Sequence, residues 1–298
     1  MRPQAAPPWE GPCPLDAAQV RAWIIEQHPA LSALSVHRLG QGWDNSAWSV
    51  GPWVFRFPRR AETAELLARE ILWLPRLSDQ LPVPTPQPLL VGRATPDFPW
   101  PFMGHERLPG ETACGVSLSA AARRRLAEDA GGFLAALHAL PVPTNLPREE
   151  DCRSDPTRVL AAIEARSVGA DVLSFAAGLR DTPPWSGTPC WIHGDLYARH
   201  LLLDSSQRLC GVIDWGDLHA GDVAVDLAIA YTMFTGSDRA CFFEAYGPTN
   251  SATRDRARLR ALYCSVVLAA LGRGTRDAEL ERVGRVGLER AQCPAEAR

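Results

Sequence analysis

Cys190-Trp191-Ile192-His193-Gly194-Asp195, followed by Leu201-Leu202-Leu203-Asp204, a Ser205-Ser206-Gln207 turn and Leu209-Cys210-Gly211-Val212-Ile213-Asp214, is the stretch on which the fold turns. Two short apolar runs joined by a polar turn read as a β-hairpin, here inside an otherwise helical region. Asp195 stands before the first strand and Asp214 at the end of the second, so the hairpin delivers two carboxylates to one end. Two carboxylates that close repel unless a cation or a proton relieves them. A divalent metal with a phosphate is the economical relief, although paired aspartates beside a hairpin also occur as plain surface charge.

Outward from the hairpin, the first third is rich in β-type runs. Val36–Leu39 leads into Gly40-Gln41-Gly42-Trp43-Asp44-Asn45-Ser46, Ala47–Val50 leads out, and Trp53–Phe57 follows the Gly51-Pro52 turn. A helix before them has Asp16 as a candidate N-cap and Val20, Trp23 and Ile24 at helical spacing. Residues 61–78 read as a helix with Leu67, Ile71 and Leu74 on one face, while alternating prolines keep Leu81–Pro88 extended. Leu89–Gly92 and Phe102–Leu108 suggest two more strands; helices are expected over 119–140 and 256–272. A β-rich start and a helical remainder imply two lobes.

The 298 residues are 46% hydrophobic and 22% charged, which provides for a sizeable core and excludes general disorder. The net charge of −3 argues against nucleic acid as a partner. All 31 basic residues are arginine, which excludes a Walker A loop and Schiff-base lysine chemistry. Eight cysteines without a CxxC pair weigh against a zinc or redox centre. The opening MRPQAAPPWEGPCP has no apolar run after Arg2, and no stretch approaches the ~18 apolar residues of a membrane span. No membrane partner and a cytoplasmic location are therefore expected.

His193-Gly194-Asp195, four residues, position 200 and then Asp214 reproduce the spacing of a kinase catalytic loop and its later metal-binding Asp. Together with Ile213-Asp214-Trp215-Gly216-Asp217, Gly221-Asp222 and Asp226-Leu227-Ala228, the run resembles the signature of antibiotic phosphotransferases, the aminoglycoside and macrolide kinases. The resemblance is densest over 191–230 and weaker at Trp53–Arg60, Glu70, Pro99–Glu111 and Phe133–Pro141. It implies an α+β, bilobal protein-kinase-like fold with a small antiparallel-sheet N-lobe and a larger, mainly helical C-lobe. In that scheme 1–14 is a loose tail, 15–105 the nucleotide-binding lobe and 106–110 the hinge. Residues 111–298 form the helical lobe, with the catalytic hairpin 191–217 and the acceptor pocket.

The same resemblance implies an O-phosphotransferase that moves the γ-phosphate of ATP or GTP to a hydroxyl of a small molecule, with Mg²⁺ as cofactor. Asp195 becomes the catalytic base, Asp214 the principal metal ligand, Asp226 the buried support of the loop and His193 its orienting residue. Asp217 and Tyr197 fall on the possible acceptor side, and Asp222 is a candidate helix cap. Position 200 departs from the aminoglycoside kinases, where Asn ligates a second metal; His200 is either a metal ligand or a catalytic hydrogen-bonding group. Its run is similar to that of macrolide phosphotransferases.

On the nucleotide side, Arg56 occupies the place of the strand Lys that holds the α- and β-phosphates and should project into the interlobe cleft. Glu70 is its expected partner, with Glu65 the fallback. Asn45 and Ser46 would cradle phosphates through backbone amides, and Glu106 to Leu108 would meet the purine at the hinge. Arg59 and Arg60 are expected in solvent, and His138, on an apolar helix, reads as a satisfied core histidine. The acceptor pocket is expected from 150–190 and 235–290. Glu149, Glu150, Asp151 and Asp155 there mix with Arg148, Arg153 and Arg158, so no polycation trap is evident. A macrolide-like acceptor is favoured, with aminoglycoside or nucleoside antibiotics as alternatives. Two other classes remain: a weakly active pseudokinase serving as a nucleotide-binding module, and a metal hydrolase with His193, Asp195, His200 and Asp214 as ligands.

Overall fold

The computed structural model describes residues 15–148, 153–166 and 168–293. The expected tail 1–14 and the acidic Glu149, Glu150 and Asp151 lie outside the described residues. The chain divides into two compact units. One comprises the described residues up to Gln80 with Thr85–Leu108 and Trp215–Asp217; the other comprises Leu81–Pro84, Pro109–Asp214 and the chain from Leu218 onward. The short exchanges at 81–84 and 215–217 were not anticipated from the linear order of the segments.

The first unit opens with α1 (Ala17–Gln27), whose Asp16 accepts the Gln19 amide at 2.8 Å in a capping box. An antiparallel sheet follows from β1 (Val36–Gln41), β2 (Asn45–Val50) and β3 (Trp53–Pro58). After α2 (Ala61–Leu77), β4 (Leu90–Gly92) and β5 (Phe102–Glu106) complete it in the order β1-β2-β3-β5-β4. Strand alternation sends Trp48 and Val50 of β2 and Phe55 and Phe57 of β3 into one core with Trp23, Phe98 and Phe102. There the Phe57 and Phe102 rings stack at 4.6 Å. Alternation therefore turns Arg56 to the opposite face of β3. The buried stripe of α2 passes through Leu67, Glu70 and Leu74, and Ile71, expected inside, is only half-buried.

The second unit contains β6 (Glu111–Thr112), α3 (Ala120–Ala139), α4 (Pro156–Glu164), α5 (Ala170–Ala177) and β7 (Cys190–Ile192). It continues with β8 (Leu201–Leu203), β9 (Leu209–Val212), β10 (His219–Gly221), α6 (Ala224–Leu227), α7 (Ile229–Met233) and α8 (Gly236–Tyr246). The long α9 (Ser251–Thr275) and α10 (Ala278–Gln292) close it. The expected hairpin is β8–β9, and β6 occupies the other edge of β8. With both edges of β8 taken, β7 pairs instead with β10, so the segment 191–217 is built from two ribbons. The fold is thus α+β, with an antiparallel sheet in the first unit and mostly helix in the second. Among the described residues no helix is long and apolar enough to cross a membrane.

α9 and α10 approach closely because glycines face the contact. A Cβ on Gly284 would sit 2.3 Å from the Ala269 amide nitrogen and 2.7 Å from the Ser265 carbonyl oxygen. Gly284→Ala is expected to cost about 1–3 kcal/mol through overpacking, read as a lower urea midpoint at unchanged slope. An unchanged midpoint would mean that the two helices do not meet so tightly.

Candidate active site

The loop after β7 is shaped by one buried carboxylate. Asp226 of α6 is fully buried, and its two oxygens accept the backbone N–H groups of His193 at 2.7 Å and Gly194 at 2.9 Å. Gly194 has φ 91°, a left-handed conformation that glycine adopts at little cost. His138 of α3 lies 3.2 Å from the same carboxylate through Nε2, and its Nδ1 is 2.9 Å from the Tyr246 hydroxyl of α8. Burial by itself would raise the Asp226 carboxyl. The His138 hydrogen bond foremost, with the Gly194 amide, outweighs it and holds the group below the ordinary carboxylate range.

His193 carries the restraint onward. Its Nδ1 accepts the Asp195 amide N–H at 3.3 Å, and its Nε2–H donates to the Ile213 carbonyl at 3.1 Å. This pattern requires a neutral ring, and burial foremost pushes its pKa down. Both nitrogens are committed to backbone, so His193 cannot ligate a metal, and the four-ligand hydrolase reading fails on this point. No group of three or more His, Cys, Asp or Glu side chains that could hold a metal gathers among the described residues.

Through these contacts Asp195 and Asp214 meet at one ring. His200 Nδ1 is 2.7 Å from the Asp195 carbonyl oxygen and 3.8 Å from its Oδ2, while Nε2 is 3.3 Å from Asp214 Oδ2. The Tyr197 ring packs against His200 at 4.3 Å. Asp214 sits at φ 66°, an uncommon backbone state for a residue with a side chain and one that concentrates at functional sites. His200 is 6% exposed at its side chain, whereas Asp195 and Asp214 are 45% and 46% exposed. Arg199 anchors the segment with two bonds to Asp277, at 2.9 and 3.2 Å, and one to Glu279 at 3.1 Å.

This donor set fits a hard divalent cation at Asp214. The bond from His200 Nδ1–H to the Asp195 carbonyl fixes the ring with Nε2 beside the Asp214 carboxylate. An exposed carboxylate supplies the oxygen ligand that Mg²⁺ prefers, and the count is low enough to need phosphate oxygens as well.

In the first unit, Arg56 Nη1 lies 2.6 and 2.7 Å from the two oxygens of fully buried Glu70. Glu65 is exposed on α2. His105 of β5 pairs with Val54, and its Nδ1 is 2.7 Å from the Glu106 carbonyl oxygen. Burial, then the charges of Arg56 and Arg107, bring its pKa down to about 4 against the backbone bond. Asn45 and Ser46 open β2, and the turn itself is Gly42–Asp44; Asn45 Oδ1 is buried with no hydrogen-bond partner.

Arg59 and Arg60, expected in solvent, grip that turn instead. Arg59 donates to the Gly42 carbonyl at 3.0 Å, and Arg60 pairs with Asp44 at 2.7 Å, because Pro58 ends β3 directly opposite Asn45. Glu106 is exposed and Leu108 half-buried, and the Arg107 amide between them bonds the Pro52 carbonyl at 2.8 Å. Asp217 groups with this unit.

Beside Asp195 lies a cavity of about 100 Å³, walled by the loop Gly194–Tyr197, by Val225, Ala228 and Thr232, and by α9 from Arg260 to Leu268. The expected contribution from α9 is present, but among the described residues none of 150–190 lines it. Asp222, a candidate cap, does accept the Ala224 amide at 3.0 Å, and it also binds Arg256 at 2.7 Å and Ser154 at 2.7 Å. His138 is the satisfied core histidine expected, buried with both ring nitrogens partnered, and its partner is the carboxylate that shapes the loop. A lone polar group on an apolar helix must find a buried partner, and that rule would have pointed from His138 to Asp226.

The sequence matches the phosphotransferase enzyme family over residues 35–262. The chain belongs to the phosphotransferase enzyme family. As such it is a kinase that transfers phosphate to hydroxyl groups. It is similar to aminoglycoside 2'-phosphotransferase-IIIa in its GDP complex, at 26% identity, TM-score 0.74, 93% of this chain and 99% of that one. It shares its fold with macrolide 2'-phosphotransferase type I, at 21% identity and TM-score 0.63 over 95% of this chain and 99% of that one. The protein YcbJ of Bacillus subtilis (strain 168) is 25% identical over 217 residues, 65% of this chain and 67% of its own length.

Folded, His105 takes up a proton only near pH 4, whereas in the unfolded chain it does so near 6.5. Stability is complete above that window and falls as acid draws the unfolded chain into protonation. The expected loss between pH 6.5 and 4 is about 3 kcal/mol from this residue. Urea titrations at several pH values should show a shallower fall in His105→Gln, and an equal fall would remove His105 as the cause.

Proposed function

We propose that this phosphotransferase moves the γ-phosphate of a nucleoside triphosphate, ATP or GTP, to a hydroxyl of a small molecule of the antibiotic class. The observation that carries this reading is the convergence of the Asp195 and Asp214 carboxylates on the single ring of His200, at 3.8 and 3.3 Å. Nucleotide as donor is supported by the GDP complex of the aminoglycoside 2'-phosphotransferase at 26% identity, and a related structure was solved with both GDP and kanamycin.

Asp195, half-exposed at the cavity, orients the acceptor hydroxyl and accepts its proton as the oxygen bonds to the γ-phosphorus. The bond from that phosphorus to the bridging oxygen breaks, leaving the nucleoside diphosphate and the phosphorylated acceptor, with the proton on Asp195. Asp214 would hold Mg²⁺, which would neutralise charge on the phosphate oxygens. Arg56, its guanidinium fixed by Glu70, offers a permanent positive charge to the α- and β-phosphates. His200 keeps the Asp195 backbone and the Asp214 side chain in register.

The cavity beside Asp195 has largely apolar walls, and Asp195 is the one carboxylate among its described lining residues. Such walls favour an acceptor with apolar surface, as in the macrolide-like reading, over a polycation, which would want several acidic groups.

Asp195→Ala is expected to lower kcat by about 10²–10⁴ with nucleotide affinity retained. Turnover at the wild-type rate would end the assignment, and absent turnover in the wild type with nucleotide still bound would leave only a nucleotide-binding module. Arg56→Ala should weaken nucleotide binding at least tenfold by calorimetry, and unchanged binding would remove its role. His200→Ala should lower turnover and raise the Mg²⁺ concentration needed for half-maximal rate. If neither changes, His200 is only packing.

A further inference from the structure

A second cavity, of about 430 Å³, reaches the catalytic loop at Tyr197 and Ala198. It shares Tyr197, Thr232 and Leu268 with the smaller cavity that contains Asp195, so the two chambers adjoin at these side chains. Arg123, Arg282 and Arg290 line the larger chamber, and among the described residues no Asp or Glu does.

These charges are only partly answered. Arg123 pairs with Asp238 at 3.3 Å, but Arg282 bonds the Cys114 carbonyl at 2.5 Å and Arg290 the Thr232 carbonyl at 3.3 Å. Carbonyls satisfy donors without cancelling a full positive charge. Consistent with this crowding, burial and then the neighbouring Arg123 and Arg282 push the Arg290 guanidinium down. Two donors besides lack partners: Ser265 Oγ, 1% exposed and on the wall of the larger chamber, and Arg260 Nε, in a side chain 9% exposed on the wall of the smaller. Buried donors without acceptors, beside uncancelled positive charge, fit an oxyanion that supplies both. A polycation here would meet three guanidinium groups.

We propose that the acceptor of this phosphotransferase carries an acid group, a carboxylate or phosphate, seated between Arg282 and Arg290 in the larger chamber while its hydroxyl lies at Asp195. The placement of the hydroxyl rests on the catalytic reading above; the oxyanion seat does not. An acceptor with an apolar body and an acid terminus would use the apolar walls of the inner chamber and the arginines of the outer one.

The probe is inorganic phosphate, titrated calorimetrically into the full chain without nucleotide or Mg²⁺. Binding is expected to weaken at least tenfold in Arg282→Gln and to stay within twofold of wild type in Arg56→Gln, which reports on the nucleotide side. In the unsubstituted protein, phosphate should shield Arg282 and Arg290 from phenylglyoxal, mapped by mass, so the result does not depend on a variant folding. No heat of binding, dependence on Arg56 alone, or no shielding at either arginine would overturn the seat. Phosphorylation of kanamycin at an efficiency untouched by Arg282→Gln would overturn the acceptor class. Loss of the catalytic reading shows separately, as nucleotide turnover unaffected by Asp195→Ala, and leaves the phosphate result standing.

Discussion

A carboxylate with no access to water holds the loop after β7 in shape. Burying an ionised Asp226 costs several kcal/mol unless its oxygens are fully engaged, and here they take two consecutive backbone amides and an imidazole. Two adjacent N–H groups can aim at one carboxylate only if the backbone turns sharply between them, which the positive φ of Gly194 allows. The restraint then runs outward through side chains. Tyr246 fixes His138, His138 and the loop amides fix Asp226, and the loop places His193. His193 in turn ties the Asp195 amide to the carbonyl just before Asp214. Residues of α3, α6, α8, β7 and the end of β9 thereby hold two half-exposed carboxylates in one geometry.

The exclusive use of arginine among basic residues leaves its mark on both units. At Arg56 one guanidinium nitrogen reaches both oxygens of Glu70 while the planar group keeps its charge at any working pH. Elsewhere arginines bind backbone carbonyls in the interior. Arg239, a buried residue of α8, donates to the carbonyls of Phe234 and Arg290 at 2.9 and 2.8 Å, and its guanidinium lies 4.8 Å from the Tyr231 ring centre. A guanidinium can enter such places because its charge is spread over a flat, weakly hydrated group. The same habit leaves some charges answered by carbonyls alone, which is how positive potential collects around the larger chamber.

The β8–β9 hairpin and the sheet of the first unit were legible because their signals are local. Alternation set Phe55 and Phe57 against Arg56, and the spacing from His193 to Asp214 set the site. What escaped depends on contacts far apart in sequence. Nothing near Cys190–Ile192 says that its partner is His219–Gly221 rather than the neighbouring hairpin; that follows from β6 claiming the second edge of β8. Arg60 looked solvated because its partner, Asp44, lies 16 residues earlier across the β-turn. The stripe of α2 admitted Glu70 in place of Ile71 because a strand arginine waits opposite it.

Family likeness and acceptor choice rest on different parts of this chain. The match to the family ends at residue 262, within α9. The side chains that hold the two carboxylates lie before that point: His138, His193, His200, Asp226 and Tyr246, while Asp277 and Glu279, which anchor Arg199, lie beyond it. Part of the walls that would meet an acceptor lies beyond it, from Tyr263 to Leu268 of α9 and from Arg282 to Arg290 of α10. A loop held by backbone amides and buried side chains is indifferent to what enters the chambers, so the transfer chemistry follows from the likeness and the acceptor does not. The acceptor must instead be read from the charge and polarity of α9 and α10, whose arginines and unsatisfied donors ask for an anion.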